Sequence, residues 1–252
     1  MALGEPSFEQ ALSEMREWGA QSIVHLPLFP QEAGATTGSM MDAMASAMSK
    51  AGSFVDREIQ FKTVKSFSHQ DFYVGAVAES VRQVLSHFKA DGILVSFHSL
   101  PLKQIEKARA ERSQEKAYDV QCLESFEMIR ERVGTSVPWS MGFQSRLGRA
   151  RWLEPSTHSL LESLPAQGVK KLLTLCPGFL ADNLETLEEI GMRGRKTFLD
   201  AGGTEFKMVP CLNDHPLFIR LVAAFIKTLA HGFVDDPVEL GHDDLDRGCN
   251  RD

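Results

Sequence analysis

Apolar and polar positions along the chain switch repeatedly between two periods, one near 3.6 residues and one near 2 or continuous. Phe8, Leu12, Met15 and Trp18 recur at helical spacing behind Ser7 and Gln10, a capping-box pair, and Gly19 follows, so a helix is predicted over 7–18. Ile23 to Leu28 reads as a buried strand. A Gly- and Thr-rich loop, Gly34 to Gly38, then opens a helix over 39–49, with Met40, Met41, Met44 and Met48 on about one face, a stripe read as core packing. Further along, strands are predicted at 58–65, 92–97, 137–143, 170–176 and 205–210. Helices are predicted at 70–88, 117–133, 156–164, 182–190, 193–200 and 214–231.

Alternating strands and helices imply parallel sheets covered by helices on both faces, an α/β fold. Only two strands precede the one at 92–97, whereas three follow it. A two-stranded parallel sheet has few neighbours to support it, so the first unit looks incomplete.

At 252 residues the chain is long enough for one large domain or two smaller ones. Net charge is −7, but seven acids against two arginines in 233–252 account for −5 of it, so the body is close to neutral. That acidic tail is expected to be solvated and disordered. No basic stripe with interleaved aromatics appears, which argues against nucleic acid as a partner. No apolar run approaches the roughly 20 residues of a membrane span, and no signal core follows Met1, so the chain reads as cytoplasmic. Cys122, Cys176, Cys211 and Cys249 form no paired spacing; the first three read as buried thiols, the last as a tail thiol.

The chemistry is expected at two strand ends. Gly92-Ile93-Leu94-Val95 delivers His98 to the carboxyl edge of a sheet, and Pro101 stops the chain from continuing as a helix there. The run Leu172 to Cys176 ends in Pro177-Gly178-Phe179 and leads to Asp182, Glu185, Glu188 and Glu189. On a helix Glu185 and Glu189 share a face with Asp182 one turn earlier, while Glu188 points elsewhere. Acids at a helix start are also favoured by its dipole alone. Imidazole with carboxylates nevertheless suits a divalent first-row ion held openly enough to be released.

Several stretches together resemble the ferrochelatases: QEAGATTGS at 31–39, VSFHSLP at 95–101, FQSRLG at 143–148 with Trp152-Leu153 and Pro155, CPGFLADNLETLEEIG at 176–191, and PCLN at 210–213. The resemblance implies two Rossmann-like domains around a porphyrin cleft: 1–90 with a returning helix at 213–232, and 91–212, followed by the tail at 233–252. It implies that ferrous iron is inserted into a porphyrin, protoporphyrin IX becoming protohaem. His98 would be the metal ligand or proton acceptor, Glu185 its acidic partner, and Glu189 a further acid on the metal path. Tyr118, Trp152 and Phe179 would lie at or near the porphyrin pocket. Ferrous iron would be substrate, with no prosthetic group and no iron–sulfur cluster, since Gly34 stands where one cluster cysteine would be. Peripheral membrane association and oligomeric state are left open by the resemblance, as is the choice between protoporphyrin and coproporphyrin.

The sequence departs from the family pattern in four places. Family members begin about 90 residues upstream, room for two strands and part of the pocket wall, so Met1 reads as an internal position or the chain as a fragment with poor turnover. Glu115-Lys116-Ala117-Tyr118 replaces a Gly-Asp-Pro-Tyr segment, Asn183 stands where some members have histidine, and Arg193 occupies a place often acidic. The alternatives are therefore a non-catalytic tetrapyrrole-binding fragment and a related cobalt chelatase.

Overall fold

The computed structural model describes residues 4–50, 59–111 and 116–231. The acidic tail, Cys249 and the first residue of the strand predicted at 58–65 lie outside the described residues. Two parallel sheets form. Strands β1 (Ser22–His25) and β2 (Gln60–Thr63) pair in one; β3 (Gly92–His98), β4 (Trp139–Gln144), β5 (Lys171–Leu175) and β6 (Glu205–Met208) form the other, in the order β4-β3-β5-β6.

Helix α1 (Phe8–Glu17) is capped as the sequence predicts, Ser7 Oγ accepting the Gln10 N–H at 3.1 Å. The reciprocal half of the box is not made, because the Gln10 carboxamide donates forward to Glu14 instead. Strand β1 stops at His25, three residues before the predicted end. Pro27, having no N–H to donate, cannot extend the ladder, and Leu28 is exposed. Residues Gly34–Gly38 wind as a π-helical turn into α2 (Ser39–Lys50). From the methionine stripe, Met44 is buried and joins Leu12, Ile23 and Ala47 in a small separate core between α1, α2 and the two-stranded sheet. No residue of β2 is buried.

The four-stranded sheet has the larger core. Residues Gly92 to Phe97 of β3 are all buried, the signature of a central parallel strand covered on both faces. Alternation along the strand divides its side chains. Ile93, Val95 and Phe97 pack with α3 (Asp71–Leu85), α5 (Tyr118–Val133) and α8 (Pro216–His231), while Leu94 packs on the other face with Leu161, Leu164, Leu172 and Phe198. Helices α6 (Thr157–Ser163) and α7 (Arg195–Asp200) cover that second face. Helix α8 returns across the fold to touch both α3 and β1.

Two elements differ from the sequence-based expectation. Helix α4 (Leu102–Glu111) is absent from it because, among the described side chains of that charged helix, only Ile105 is buried, so no apolar stripe marks it. The helices predicted at 182–190 and 193–200 are one continuous element, whose first ten residues, Glu185–Gly194, wind as a π-helix before tightening into α7.

Strand β4 can approach α6 only because position 142 has no side chain. A Cβ on Gly142 would lie 2.9 Å from Leu160 Cδ1 and 3.1 Å from the backbone of Thr157. We expect Gly142→Ala to destabilise the fold by about 1–3 kcal/mol, the usual cost of overpacking, measured by urea denaturation.

Candidate active site

The strand order places a topological switch point between β3 and β5. The chain leaves β3 for β4 on one side and leaves β5 for β6 on the other, which opens a crevice at the carboxyl ends of β3 and β5. His98 is the last residue of β3 and half-buried. Its Nδ1 lies 2.7 Å from the carbonyl oxygen of Ser99. A carbonyl can only accept, so Nδ1 carries the proton and the lone pair resides on Nε2. The imidazole is therefore held in the tautomer that can bind a metal ion or take a proton.

The residues expected near the pocket act on this histidine in three ways. Tyr118 is buried and donates its hydroxyl to the His98 carbonyl at 2.8 Å, so it fixes the strand end. Burial and the neighbouring Cys122 push its phenol well above the usual value, so it stays a donor. Phe179, in the turn after β5, lies 6.2 Å from the His98 ring, centroid to centroid, at 55°. Trp152 forms an antiparallel bridge with Pro101, and Leu153 N–H donates to the Leu100 carbonyl, so this segment braces the loop behind the histidine.

Glu185 begins the π-helix after β5. Its backbone carbonyl accepts from Gln144 Nε2 at 2.8 Å, and Gln144 is the residue paired with His98 across β3 and β4. Glu189, four residues on, takes two hydrogen bonds from Ser145: the N–H donates to Oε1 at 2.8 Å and Oγ donates to Oε2 at 2.9 Å. The third acid of the expected line does not join them. Asp182 accepts from Asn213 Nδ2, from the Cys211 N–H and from the Thr186 hydroxyl, tying the start of the helix to the PCLN turn. Burial would raise its carboxyl, but these donors outweigh that and hold it below the usual value. Glu188 is half-buried and paired with Arg193 at 2.7 Å. Among the described residues no three His, Cys, Asp or Glu side chains lie close enough together to hold one ion. The thiols of Cys122 and Cys176 are buried, and burial pushes both well up.

Sequence reasoning missed Ser96, Gln144 and Ser145. The FQSRLG stretch flagged their neighbourhood, but nothing in residue type or spacing showed that the strand end at 144–145 touches the acidic helix.

A parallel sheet with a histidine at its switch point and an acidic helix leaving the adjacent strand defines a metal-chelatase architecture. Solved structures share the fold. SirB from Bacillus subtilis with Fe3+ superposes with a TM-score of 0.61 at 14% identity, covering 93% of this chain and 83% of that one. The sirohydrochlorin chelatase SirB of the spizizenii subspecies, in complex with cobalt, gives 0.60 at 13% identity over 91% and 78%. The sequence narrows the class. The family model of the ferrochelatases matches residues 1–230. The ferrochelatase of Ectopseudomonas mendocina is 40% identical over 232 residues, 86% of this chain and 67% of that protein, and that of Pseudomonas aeruginosa strain UCBPP-PA14 is 39% identical over 91% and 71%. The chain belongs to the ferrochelatase family.

Proposed function

We propose that this protein inserts ferrous iron into a porphyrin, converting protoporphyrin IX to protohaem, with His98 as proton acceptor or metal ligand and Glu185 as its acidic partner. The observation that supports the reading most is the pair of strand exits: His98 with its Nε2 lone pair free at the end of β3, and Glu185 tethered through Gln144 at the exit from β5. Ferrochelatase relatives at about 40% identity support iron as the metal.

Insertion replaces two pyrrole N–H protons by one Fe2+, so two protons must leave as the ion enters. A neutral imidazole can accept a proton at Nε2, and a carboxylate can accept the other or hold the incoming ion before the pyrrole nitrogens do. The scarcity of protein donors suits this task, because an ion held by several carboxylates and imidazoles would be slow to leave for the macrocycle. In this reading iron is substrate and no prosthetic group takes part, Glu189 lies on the path by which the ion arrives, and Phe179, beside the histidine ring, contacts the macrocycle. Among the described residues no helix is long and apolar enough to cross a membrane, and we place the reaction in the cytoplasm as part of this proposal.

The test is direct. The protein is mixed with protoporphyrin IX or coproporphyrin, and then with Fe2+ under anaerobic conditions or with Zn2+. Porphyrin binding is followed by fluorescence and insertion by the change in the visible absorption bands. Catalytic insertion into at least one of the two porphyrins is expected, and binding without turnover under all of these conditions overturns the reading.

A further inference from the structure

A ten-residue π-helix needs an external reason to exist. Its i→i+5 ladder is rarely continued beyond a single turn, and the intervening backbone gains nothing from it that an α-helix would not supply. In this protein the end of β4 holds the segment at two points. Gln144 donates to the carbonyl of Glu185, and Ser145 donates twice to the carboxylate of Glu189.

The first tether is the end of a buried chain of hydrogen bonds. Gln144 is 3% exposed, and its Oε1 accepts from Ser96 Oγ at 2.6 Å and from the Cys176 thiol at 3.4 Å. Ser96, fully buried, in turn lies 2.7 Å from Thr157 Oγ1. Because Ser96 spends its proton on Gln144, Thr157 is the donor to Ser96, and every proton in the chain points toward Glu185. The Glu185 carbonyl can only accept, which also determines which end of the carboxamide faces it. Ser96 is two residues before His98 on the same strand, so one rigid chain links the histidine strand to the acidic helix. Cooperative polarisation along such a buried chain strengthens each bond.

The second tether is held under strain. Ser145 has φ 65°, a left-handed conformation that a serine adopts only when its surroundings impose it. That conformation turns both its N–H and its hydroxyl onto Glu189, and the two bonds are what the strain secures.

We infer that Gln144 and Ser145 are positioning residues for metal insertion: Gln144 sets the placement of Glu185 relative to His98, and Ser145 holds the Glu189 carboxylate in one orientation. The inference rests on the proposed insertion activity, and its test includes a measurement that does not.

Wild type, Gln144→Glu and Ser145→Ala are compared by porphyrin fluorescence, by steady-state Zn2+ insertion and by amide hydrogen exchange. In Gln144→Glu the new carboxylate faces the Glu185 carbonyl without a donor. We expect kcat at pH 8 to fall about tenfold, the worth of one ordinary hydrogen bond, with porphyrin affinity unchanged. The deficit relative to wild type should shrink as the pH is lowered, because the protonated carboxyl regains an O–H for that carbonyl. A merely structural lesion would show no such recovery. In Ser145→Ala the KM for metal is expected to rise while kcat holds. Wild-type kinetics in both variants, or a deficit that is constant with pH and accompanied by lost porphyrin binding, overturns the inference. If the wild-type chain inserts no metal, the proposed function fails and exchange decides the tether. Faster exchange in Gln144→Glu confined to 185–194 supports it, and unchanged exchange there refutes it.

Discussion

Replacing His98 by alanine is expected to reduce metal insertion by about a hundredfold or more, because a positioned general acid or base ordinarily contributes 10²–10⁴-fold. The side chain has one hydrogen bond to lose, from Nδ1 to the Ser99 carbonyl, which is local, and its ring contact with Phe179. The Tyr118 hydroxyl holds the His98 carbonyl, a backbone atom that alanine retains, so the strand end should stay in place. The loss should therefore appear in kcat, with the thermal midpoint and porphyrin affinity nearly unchanged. Added imidazole should restore part of the rate by filling the vacated space beside Phe179. A variant that keeps most of the wild-type rate would remove His98 from the mechanism altogether.

The second large effect is expected at Glu185. Glu185→Gln keeps the size of the side chain and the backbone carbonyl that Gln144 holds, so the change isolates the negative charge from the tether. We expect kcat/KM for Fe2+ to fall about a hundredfold, the size of a general acid–base contribution, while the KM for porphyrin stays within a few-fold of wild type. Higher metal concentration should recover part of the rate if the carboxylate delivers the ion, and none of it if the carboxylate only takes the proton. Steady-state kinetics with Fe2+ under anaerobic conditions distinguishes the two. Equal kcat/KM values for the variant and the wild type would leave Glu185 without a role in the reaction. The matching change at Glu189 should be milder, because its carboxylate already satisfies two donors of Ser145 and stands farther along the same helix.

That His98 and the acidic helix leave neighbouring strands depends on strand order, which local patterns do not encode. The period changes along the chain predict each strand of the larger sheet to within a few residues, because a buried central strand such as β3 must be apolar throughout. They cannot say that β5 lies beside β3 on the side opposite β4, since that choice is made by packing between segments nearly 80 residues apart. The missed helix α4 shows the complementary limit: with a single buried side chain among those described it leaves almost no apolar imprint.

Within the site, the outcome for the acids separates the two sources of information. Helical spacing alone placed Asp182, Glu185 and Glu189 on one face. The tertiary structure withdrew Asp182 by offering it Asn213, Cys211 and Thr186 as donors, and it wound the helix as π rather than α. The amino-acid sequence by itself determined the α/β class, the strand ends that present His98 and Glu185, and membership of the ferrochelatase family. Those properties follow from residue type and order along the chain. Only the tertiary structure decided which acids remain available and how the acidic helix is tethered to β4. These depend on hydrogen bonds from Gln144 and Ser145 to Glu185 and Glu189, and from Asn213 to Asp182, between residues that only folding brings together.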